Sequence, residues 1–435
     1  MQRIMLILLA LVLLQGCAEK IDYGETVIFV SNLGDGLTGT GTPYDPFRSL
    51  ETAIDSASNG SVIQLSAGVY EAVPNRYDEA ECGNCEVHLT PVTATAGFHI
   101  RNKVLTIRGA NRDSCIMITN AGYGLLFEQS YGSKITNVTI TGGVRDSDGN
   151  ATDAAVIAKY SRVTIENCNI ADNTDRDTSV VVGIGGIFGR ESSTLIIHGN
   201  SIRNNGWDGI ALYRGAVALI TDNTIDSGRG AGIGITWDSE ALVQRNKVSN
   251  YWKGIGTFGN SRAVVQNNVV FDNLGWGIIL TGTSFMEVRN NTIVHNGNCG
   301  LACWSEDARG VAINNIVVNN GWRDEWVCPC VGVQMWGQLR NFPVSYNNVW
   351  NNVAGNYKGM PEWTDKYGNV SVDPMFVDSL DFHIQDDSPL WHIGDPYYTD
   401  PDGTQSSMGA YGGQGDIEWR LGISDVQSSG RGRDL

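Results

Sequence analysis

The chain reads Asn200-Ser-Ile202, Asn223-Thr-Ile225, Asn246-Lys-Val248, Asn268-Val-Val270, Asn291-Thr-Ile293 and Asn315-Ile-Val317, so one short pattern returns in steps of 22 to 24 residues. A second pattern, Gly-Ile-x-Leu or a close variant, recurs with the same period. It begins at Gly209, Gly232, Gly254, Gly277, Gly300 and, after an insertion, Gly332. Regular spacing of this kind indicates a structural repeat, with the same short strands in every copy.

A period near 23 residues with short β-branched runs is too short for helical repeats, and its Asn and Gly residues suit tight turns. Stacked parallel strands would place equivalent positions about 4.8 Å apart. We therefore predict a ladder of asparagine amides. The alternation within Gly-Ile-x-Leu predicts that Ile and Leu point inward and that Gly and x point outward. The same stacking predicts one inward aliphatic column that contains Ile202, Ile225, Val248, Val270 and Ile293.

This combination resembles the right-handed parallel β-helix of the pectate-lyase-like superfamily. The resemblance implies an all-β, single-stranded solenoid whose N-terminal end is closed by a short helix. Leu50 to Ala57 has helical spacing, with Ser49 as its N-cap. The predicted organisation is a signal peptide (1–16), a linker (17–26), a cap with the first coils (27–103), the β-helix (104–372), a closing segment over the last coil (373–423) and a disordered tail (424–435).

The N-terminus has the order of an export signal: Arg3, an apolar run from Ile4 to Leu14, and then Gln15-Gly16-Cys17. This order resembles a bacterial lipobox, which implies that Cys17 is the lipidated first residue of the mature protein. Ala18 follows rather than Asp, which favours the outer membrane. The alternative is an ordinary signal peptide with an incidental cysteine. We therefore expect the lipid to attach the protein to a membrane, and we expect the protein to be a monomer.

The formal net charge of −17 disfavours nucleic acid as a partner. It also disfavours an anionic polysaccharide, unless calcium or a local basic cluster offsets the field. Asp400 and Asp402 are candidate calcium ligands because hard carboxylate oxygens suit that ion. An Asp-Pro-Asp-Gly turn without metal has the same composition, so both interpretations stay open.

Eight cysteines besides Cys17 form an even set, and an exported protein retains disulfides. A zinc site made from two close cysteine pairs is the alternative, but it requires thiolates, which an oxidising compartment removes. The candidates for disulfide pairing are Cys82 with Cys85, and Cys299 and Cys303 with Cys328 and Cys330, which lie one coil apart.

Aromatic residues recur beside the outward strand face. The outward x positions are mostly small, which leaves a floor between two rims. An aromatic furrow of this shape suits an extended sugar chain, and the resemblance implies a substrate cleft on the same face. The alternative is that these rings only shield the coils. The candidate binding residues are Trp207, Tyr213, Trp237, Trp252, Phe258, Trp276, Trp304 and Trp336.

The charged residues beside this furrow fit elimination better than hydrolysis. Asp208 and Asp238 lie on opposite rims, too far apart for the carboxylate pair of a glycosidase. A polysaccharide lyase needs one base and a cation for the uronate carboxylate. Lys253 is the candidate base, and Arg190 and Arg214 are the candidate carboxylate ligands. We therefore predict a surface lipoprotein that binds a polysaccharide, with β-elimination as its candidate chemistry. The alternative function is a non-catalytic adhesion scaffold that presents loops to a partner.

Overall fold

The computed structural model describes residues 26–33, 39–174, 182–324 and 326–414. Cys17, the predicted signal and the predicted tail lie outside these residues. Within them, no helix is long and apolar enough to cross a membrane. The described strands form three long sheets, here named A, B and C, and each coil contributes one strand to each sheet.

Sheet A begins the path of each coil and pairs its strands in parallel from one coil to the next. Its strands are β1 (Val27–Val30), β2 (Ser61–Leu65), β6 (Leu105–Gly109), β9 (Tyr131–Thr136), β12 (Arg162–Glu166), β15 (Thr194–His198), β18 (Val217–Thr221), β21 (Glu240–Gln244), β24 (Arg262–Gln266), β27 (Phe285–Arg289), β30 (Arg309–Ile313) and β33 (Val344–Ser345).

Sheet B follows after a tight turn and is also parallel. Its strands are β3 (Gly68–Glu71), β7 (Cys115–Ile118), β10 (Thr139–Thr141), β13 (Asn169–Ala171), β16 (Ser201–Arg203), β19 (Thr224–Asp226), β22 (Lys247–Ser249), β25 (Val269–Phe271), β28 (Thr292–Val294), β31 (Ile316–Val318) and β34 (Asn348–Trp350).

Sheet C completes each coil and is parallel except at its first pair, where β4 runs antiparallel to β5. Its strands are β4 (Asn75–Glu79), β5 (Val92–Arg101), β8 (Tyr123–Glu128), β11 (Ala154–Lys159), β14 (Gly185–Arg190), β17 (Ile210–Leu212), β20 (Ala231–Ile235), β23 (Lys253–Thr257), β26 (Trp276–Leu280), β29 (Leu301–Cys303), β32 (Val333–Met335) and β35 (Tyr357–Lys358).

The predicted aliphatic column is confirmed. Ile202 pairs with Ile225, and the register continues through Val248 and Val270 to Ile293. All five side chains are fully buried in one continuous core. The predicted parallel β-helix is therefore the observed architecture.

The asparagine ladder is also confirmed, at the turn between sheets A and B. The Asn246 backbone N–H donates to the Asn268 side-chain oxygen at 3.0 Å, and Asn268 N–H donates to Asn291 in the same way. The Asn268 amide also donates to the Val243 carbonyl. A second ladder, which the sequence analysis missed, occupies the turn between sheets B and C. Its members lie five residues after those of the first ladder: Asn273, Asn296, Asn320 and Asn352.

The glycines of Gly-Ile-x-Leu do not point outward as predicted. A Cβ added to any of them would lie 2.3 to 2.6 Å from an aliphatic carbon of the inward column. Each glycine therefore sits at a corner where the next strand packs against its Cα. This close approach explains why glycine recurs with the aliphatic column. The pairs are Gly209 with Ile225, Gly232 with Val248, Gly254 with Val270, Gly277 with Ile293, Gly300 with Val317 and Gly332 with Val349.

The N-terminal end is closed as predicted by a helix, α1 (Leu50–Ser56). The Ser49 hydroxyl accepts the Thr52 N–H at 3.2 Å, and Leu50 and Ile54 are buried in the core. Strand β1 pairs in parallel with β2, and β2 and β3 pair with β6 and β7, so the first coils lie within the predicted segment 27–103.

Residues 373–414 do not cover the last coil as predicted but lie along the outer face of sheet B. Phe382, Leu390 and Met408 pack there against Val294 and Val318. Outward positions of sheet B are polar in β16, β19 and β22, whereas β25, β28, β31 and β34 each carry at least one outward apolar side chain, so the later coils need this cover. Trp363, Met360 and Leu339, from the 3₁₀ helix Leu339–Asn341, pack against the core near the C-terminal end instead.

Candidate functional site

The outer face of sheet C carries one row of equivalent residues, each of which follows the sheet C strand of its coil. Backbone N–H groups of this row donate to the preceding coil at 2.8 to 3.0 Å, from Tyr213, Thr236, Phe258, Thr281, Trp304 and Trp336 in turn. The middle positions Ala211, Gly234 and Gly256 leave a low floor beside the row. The row is nevertheless not one open furrow, because its two halves differ in what lies on them.

Residues 75–91 and 145–153, here called the cover, lie over the N-terminal half of this face. Strand β4 folds back on β5, and Ala151 and Cys82 pack with Leu126, Ile157 and Phe188 of sheet C. Tyr213 is only 3% exposed beneath these residues. Tyr213 is therefore a buried wall and not a sugar-binding platform, contrary to the sequence prediction.

The prediction that Arg190 binds the carboxylate of a substrate is wrong, because Arg190 is 0% exposed beneath the cover. Its Nη1 lies 2.9 Å from Glu79 Oε1, and its Nε lies 2.6 Å from Glu191 Oε2. Lys159 bridges the same Glu79 at 2.6 Å. A buried charge must be paired, and these partners occupy Arg190 fully. Its role in this structure is to hold the cover on sheet C.

Arg214 is likewise engaged by the cover. Its guanidinium lies 4.4 Å from the centre of the Trp237 ring, and its Nη2 donates to the Cys85 carbonyl. This stacking leaves Trp237 half-buried under a cation. Arg214 and Trp237 thus form the edge of the cover rather than a clamp for a substrate carboxylate.

The C-terminal half of the face carries five tryptophans in contact, here called the strip. Ring centres lie 5.1 Å apart for Trp326 and Trp252, 5.8 Å for Trp252 and Trp276, 5.8 Å for Trp276 and Trp304, and 5.6 Å for Trp304 and Trp336. Trp326 is 70% exposed and Trp336 is 60% exposed, whereas Trp276 is 5% exposed. Trp276 therefore supports the other rings from beneath.

Trp326 was missed by the sequence analysis because it lies in the insertion before Gly332, outside the repeat. In the structure, Cys328 and Val331 of this insertion pack on Trp276 and Ile279. The insertion thus flanks the strip and adds a ring to it. The spacing of residues in the sequence does not predict the contact between this insertion and the strip.

Asp208 and Lys253 lie between the cover and the strip. The Asp208 carboxylate accepts the Ala231 N–H at 2.6 Å and the Tyr213 hydroxyl at 3.3 Å. Burial raises the pKa of Asp208 to about 6. A Cβ added to Gly234 would lie 3.8 Å from Asp208 Oδ2, so the floor here is open to the carboxylate.

The Lys253 amino group lies 4.7 Å from the centre of the Phe258 ring and 5.7 Å from that of Trp276. Burial lowers the pKa of Lys253, and the charge of Asp208 opposes this shift. Within the described part of the chain, the amino group has no hydrogen-bond partner. Lys253 therefore lies at the end of the strip, with its amino group against two aromatic rings and near the Asp208 charge.

The remaining predicted binding residues divide between these two regions. Phe258 and Trp252 are half-buried beside Lys253, and Trp304 is half-buried within the strip. Trp207 is half-buried and packs against the cover. The structure thus brings Trp252, Phe258, Trp304, Trp336 and Lys253 together, and it places Trp207, Tyr213 and Trp237 in a separate cluster.

The cysteines follow the predicted pairing only in part. Cys82 and Cys85 are bonded to each other, with Cα atoms 5.4 Å apart. Cys299, Cys328 and Cys330 lie close together without a bond, and the Cys299 N–H donates to Cys328 Sγ at 3.4 Å. Cys303 points into the coil interior between Leu301 and Met335, so the prediction that it bridges to the insertion is wrong.

The two candidate calcium ligands have other partners. Both oxygens of Asp400 accept the Ser407 N–H, and one also accepts the Gly413 N–H. Asp402 accepts the N–H and hydroxyl of Thr404. These bonds fit the metal-free turn. Across the described ranges, no group of three or more His, Cys, Asp or Glu side chains is arranged to hold a metal ion.

Comparison with known proteins adds a family match. The sequence model of a family described as "Right handed beta helix region" matches residues 80–239 and 185–349, which together span more than half of the chain. No curated protein matches the sequence.

Several solved structures are similar over much of their length. The crystal structure of pectate lyase Pel9A is 15% identical, with a TM-score of 0.48, over 89% of this chain and 96% of that one. The A-module of mannuronan C-5 epimerase AlgE4 from Azotobacter vinelandii is 13% identical, with a TM-score of 0.49, over 74% and 88%. The catalytic domain of a GH87 alpha-1,3-glucanase is 12% identical, with a TM-score of 0.41, over 78% and 61%.

Proposed function

Because the chain belongs to the right-handed β-helix family, we propose that it uses the outer face of one sheet to bind an extended polysaccharide along the strip. The observation that carries this proposal is the unbroken contact of five tryptophan rings, whose two outermost members are mostly exposed. A group of contacting aromatic rings with exposed members, unlike a single exposed ring, supports a binding site.

The shape of the strip favours a chain-like ligand over a compact one. The rings of Trp252, Trp276, Trp304 and Trp336 come from four successive coils. The first two lie at the start of their sheet C strands and the last two follow the strand ends, so the strip crosses the coils obliquely. Sugar rings present C–H faces to aromatic rings, while their hydroxyl groups stay in water. A linear glycan laid along the strip would contact the accessible rings of Trp252, Trp304 and Trp336, with Trp276 beneath them.

Binding to insoluble polysaccharides tests this proposal directly. We expect Trp304→Ala, Trp326→Ala and Trp336→Ala each to weaken retention about five- to tenfold, because each removes one stacking surface. The matched control is Trp391→Ala, a partly exposed tryptophan in the segment that covers sheet B. Equal retention of the strip variants and the parent protein, or no retention of the parent protein, would favour the scaffold alternative.

Lys253 supports a second candidate function, β-elimination on a uronic-acid polymer. An amine whose pKa is lowered by burial holds more of its neutral, basic form at neutral pH. Arg190 and Arg214 are engaged by the cover, but Arg323, whose guanidinium lies 5.2 Å from the Trp252 ring centre, supplies a cation at the strip for a uronate carboxylate. This pairing of an amine that makes no hydrogen bond in the described chain with a guanidinium at the strip is what favours the second candidate.

Ultraviolet absorbance tests this second candidate function, because β-elimination creates an unsaturated sugar that absorbs ultraviolet light. Pectin, alginate and glycosaminoglycans with and without calcium are the substrates, and Lys253→Met is the variant that removes the base. Rising absorbance that is lost in Lys253→Met is the expected result. Flat absorbance with the parent protein would leave binding as the function of the strip.

We also propose that Cys17 carries the lipid that holds the protein at the outer membrane. This proposal rests on the order of residues around Cys17 alone. Radiolabelled palmitate should enter the parent protein and not Cys17→Ser, which should leave the membrane fraction. Equal labelling of the two proteins would contradict this anchor.

A further inference from the structure

The outer face of sheet A carries four aliphatic side chains in register, here called the sheet A patch. Ile196 pairs with Leu219, Leu219 with Leu242, and Leu242 with Val264. Each lies between inward, buried neighbours on its strand and is itself partly exposed. None of the four belongs to a packed apolar cluster of the described residues. The sheet A patch is therefore an apolar surface that the described part of the chain leaves partly open to water.

The sheet A patch is small and has polar borders. Its column carries Thr164 in the coil before Ile196 and Glu287 in the coil after Val264. At the flanking outward positions of β15, β18, β21 and β24, every residue except Val217 is polar or charged. Four strands about 4.8 Å apart and a width of about 7 Å give an area on the order of 100 Å².

This area is too small for a stable contact with a separate protein, which buries about 800 Å² on each partner. The net charge of −17 also opposes association with a second copy of the chain. A segment of the same chain can bind to a smaller surface, because its tether keeps it at a high effective concentration. The size of the sheet A patch therefore favours a tethered segment.

The described chain ends beside the sheet A patch. After covering sheet B, residues 373–414 reach the turn between sheets A and B, where the Asn267 amide donates to the Ala410 and Gly412 carbonyls. Asn267 directly follows β24, the strand that carries Val264. Val264 precedes it by about 10 Å along the strand. The chain therefore leaves the described region at the edge of sheet A, next to the last residue of the patch.

The sequence that follows has one apolar side. Residues 415–435 lie outside the described residues, and within them apolar side chains occupy every second position of a short stretch: Ile417, Trp419, Leu421 and Ile423. The positions between them hold Glu418, Arg420 and Gly422. Alternation of this kind predicts an extended segment with one apolar face. Seven extended residues span about 20 Å, which is enough to cross the four strands of the patch, about 14 Å in all.

We propose that residues 417–423 bind across the outer face of sheet A, with their four apolar side chains on the sheet A patch. The polar side chains of Glu418 and Arg420 then face water. The short stretch 414–416 spans about 10 Å, so it joins the end of the described chain to the Val264 end of the patch. Residues 373–414 cover the outward apolar side chains of sheet B in the same way. The C-terminal part of the chain thus covers two sheets in succession.

Limited digestion of the full-length protein with trypsin tests this proposal. Trypsin cleaves after Arg420, inside the proposed contact, and after Arg431, beyond it. A bound segment must open locally before a protease can cut it. Relative to a free peptide of residues 415–435, cleavage after Arg420 should therefore be at least about tenfold slower in the protein, and cleavage after Arg431 should be unchanged. Mass spectrometry of the released peptides measures both rates.

Two variants break the proposed contact from opposite sides. Leu242→Asp places a charge in the sheet A patch, and Trp419→Ser removes the largest apolar side chain of the segment without touching the coils. Each should speed cleavage after Arg420 by at least about fivefold. The matched control is Val311→Asp, because Val311 is also a partly exposed aliphatic residue of sheet A but lies two strands beyond Val264. It should leave cleavage after Arg420 unchanged.

Three results would overturn the proposal. The first is cleavage after Arg420 that is as fast in the protein as in the free peptide. The second is protection of Arg420 that persists in both Leu242→Asp and Trp419→Ser, since the segment would then be held elsewhere. The third is a dimer in sedimentation velocity that Leu242→Asp dissociates, which would assign the sheet A patch to a second copy of the chain.

Discussion

Asp208 and Lys253 face each other across Ala231, which occupies the position between them in sheet C. The Ala231 N–H donates to Asp208, and Ala231 is the register partner of Lys253 in the next coil. Burial raises the pKa of Asp208 and lowers that of Lys253, and each charge opposes the shift of the other. The pair is thus electrostatically coupled at the end of the strip.

This coupling predicts reciprocal shifts in pKa. Asp208→Asn should lower the pKa of Lys253 further, because the variant removes the negative charge that favours the ammonium form. Lys253→Met should raise the pKa of Asp208 above about 6 for the corresponding reason. Side-chain NMR titration measures both values. Lys247→Met, which removes an exposed lysine of sheet B, is the control. A pKa of Asp208 that is the same in both lysine variants would show that the pair is not coupled.

Because the repeat glycines pack against the inward column, any side chain at these positions should lower the free energy of unfolding. An alanine Cβ at Gly232 would lie 2.3 Å from Val248 Cγ1, so Gly232→Ala should lower the free energy of unfolding by about 1–3 kcal/mol. Gly149→Ala, where a Cβ meets nothing, should change it by less than about 0.5 kcal/mol. Urea denaturation measures both.

Relief of the same contact provides a sharper check on Gly232. If the clash with Val248 is the cause, Gly232→Ala with Val248→Ala should lose less stability than the sum of the two single variants. Additive losses would contradict the close packing at this corner.

The sequence predicts the coils because their contacts repeat. Ile225 and Asn223 each contact their counterparts one period away, so spacing alone identifies the partners. The cover has no such signal. Glu79 reaches Arg190 from 111 residues away, and β4 arrives there by folding back against β5. Arg190 therefore has the spacing of a rim residue although it is buried.

The same reasoning separates Trp326 from the rings of the repeat. Trp304 and Trp336 occupy one strand position and were found from their spacing. Trp326 contacts Trp252 through an irregular insertion, and its position depends on how Cys328 and Val331 pack. The half of the site built on coils could be predicted, and the half built on loops could not.

The asparagine ladder predicts that the loss of one side-chain amide greatly lowers the free energy of unfolding. Asn268→Leu removes the side-chain acceptor of the Asn246 N–H and the amide donor to the Val243 and Gln266 carbonyls. Several buried polar groups are unpaired at once, so the loss should be at least about 3 kcal/mol in the free energy of unfolding. Asn75→Leu, on exposed β4, is the matched control. Similar losses for the two variants would mean that the ladder does not stabilise the coils.

The buried carboxyl group of Asp153, in the cover, should make the stability of the protein depend on pH. Its Oδ2 accepts from Arg145 at 2.7 Å and from the Asp146 N–H at 3.1 Å. Burial, together with the neighbouring charge of Asp146, raises the pKa of Asp153 to about 8. Gly122 leaves room for both carboxyl groups, since a Cβ there would lie 2.2 Å from Asp146 and 2.6 Å from Asp153.

The sign follows from proton binding in the two states. Above the ordinary pKa of an aspartate, the unfolded chain has lost its proton while folded Asp153 retains it. The contribution of this carboxyl is therefore complete below about pH 4 and declines as pH rises toward 8, by up to about 1.4 kcal/mol per pH unit. Asp153→Asn keeps the shape of the neutral acid without the proton, so its stability should decline less over this range. Urea midpoints at pH 5 and pH 8 measure the difference, with the exposed Asp307→Asn as control. If the stability of Asp153→Asn falls between pH 5 and pH 8 as much as that of the parent protein, the Asp153 proton is not the cause of the pH dependence.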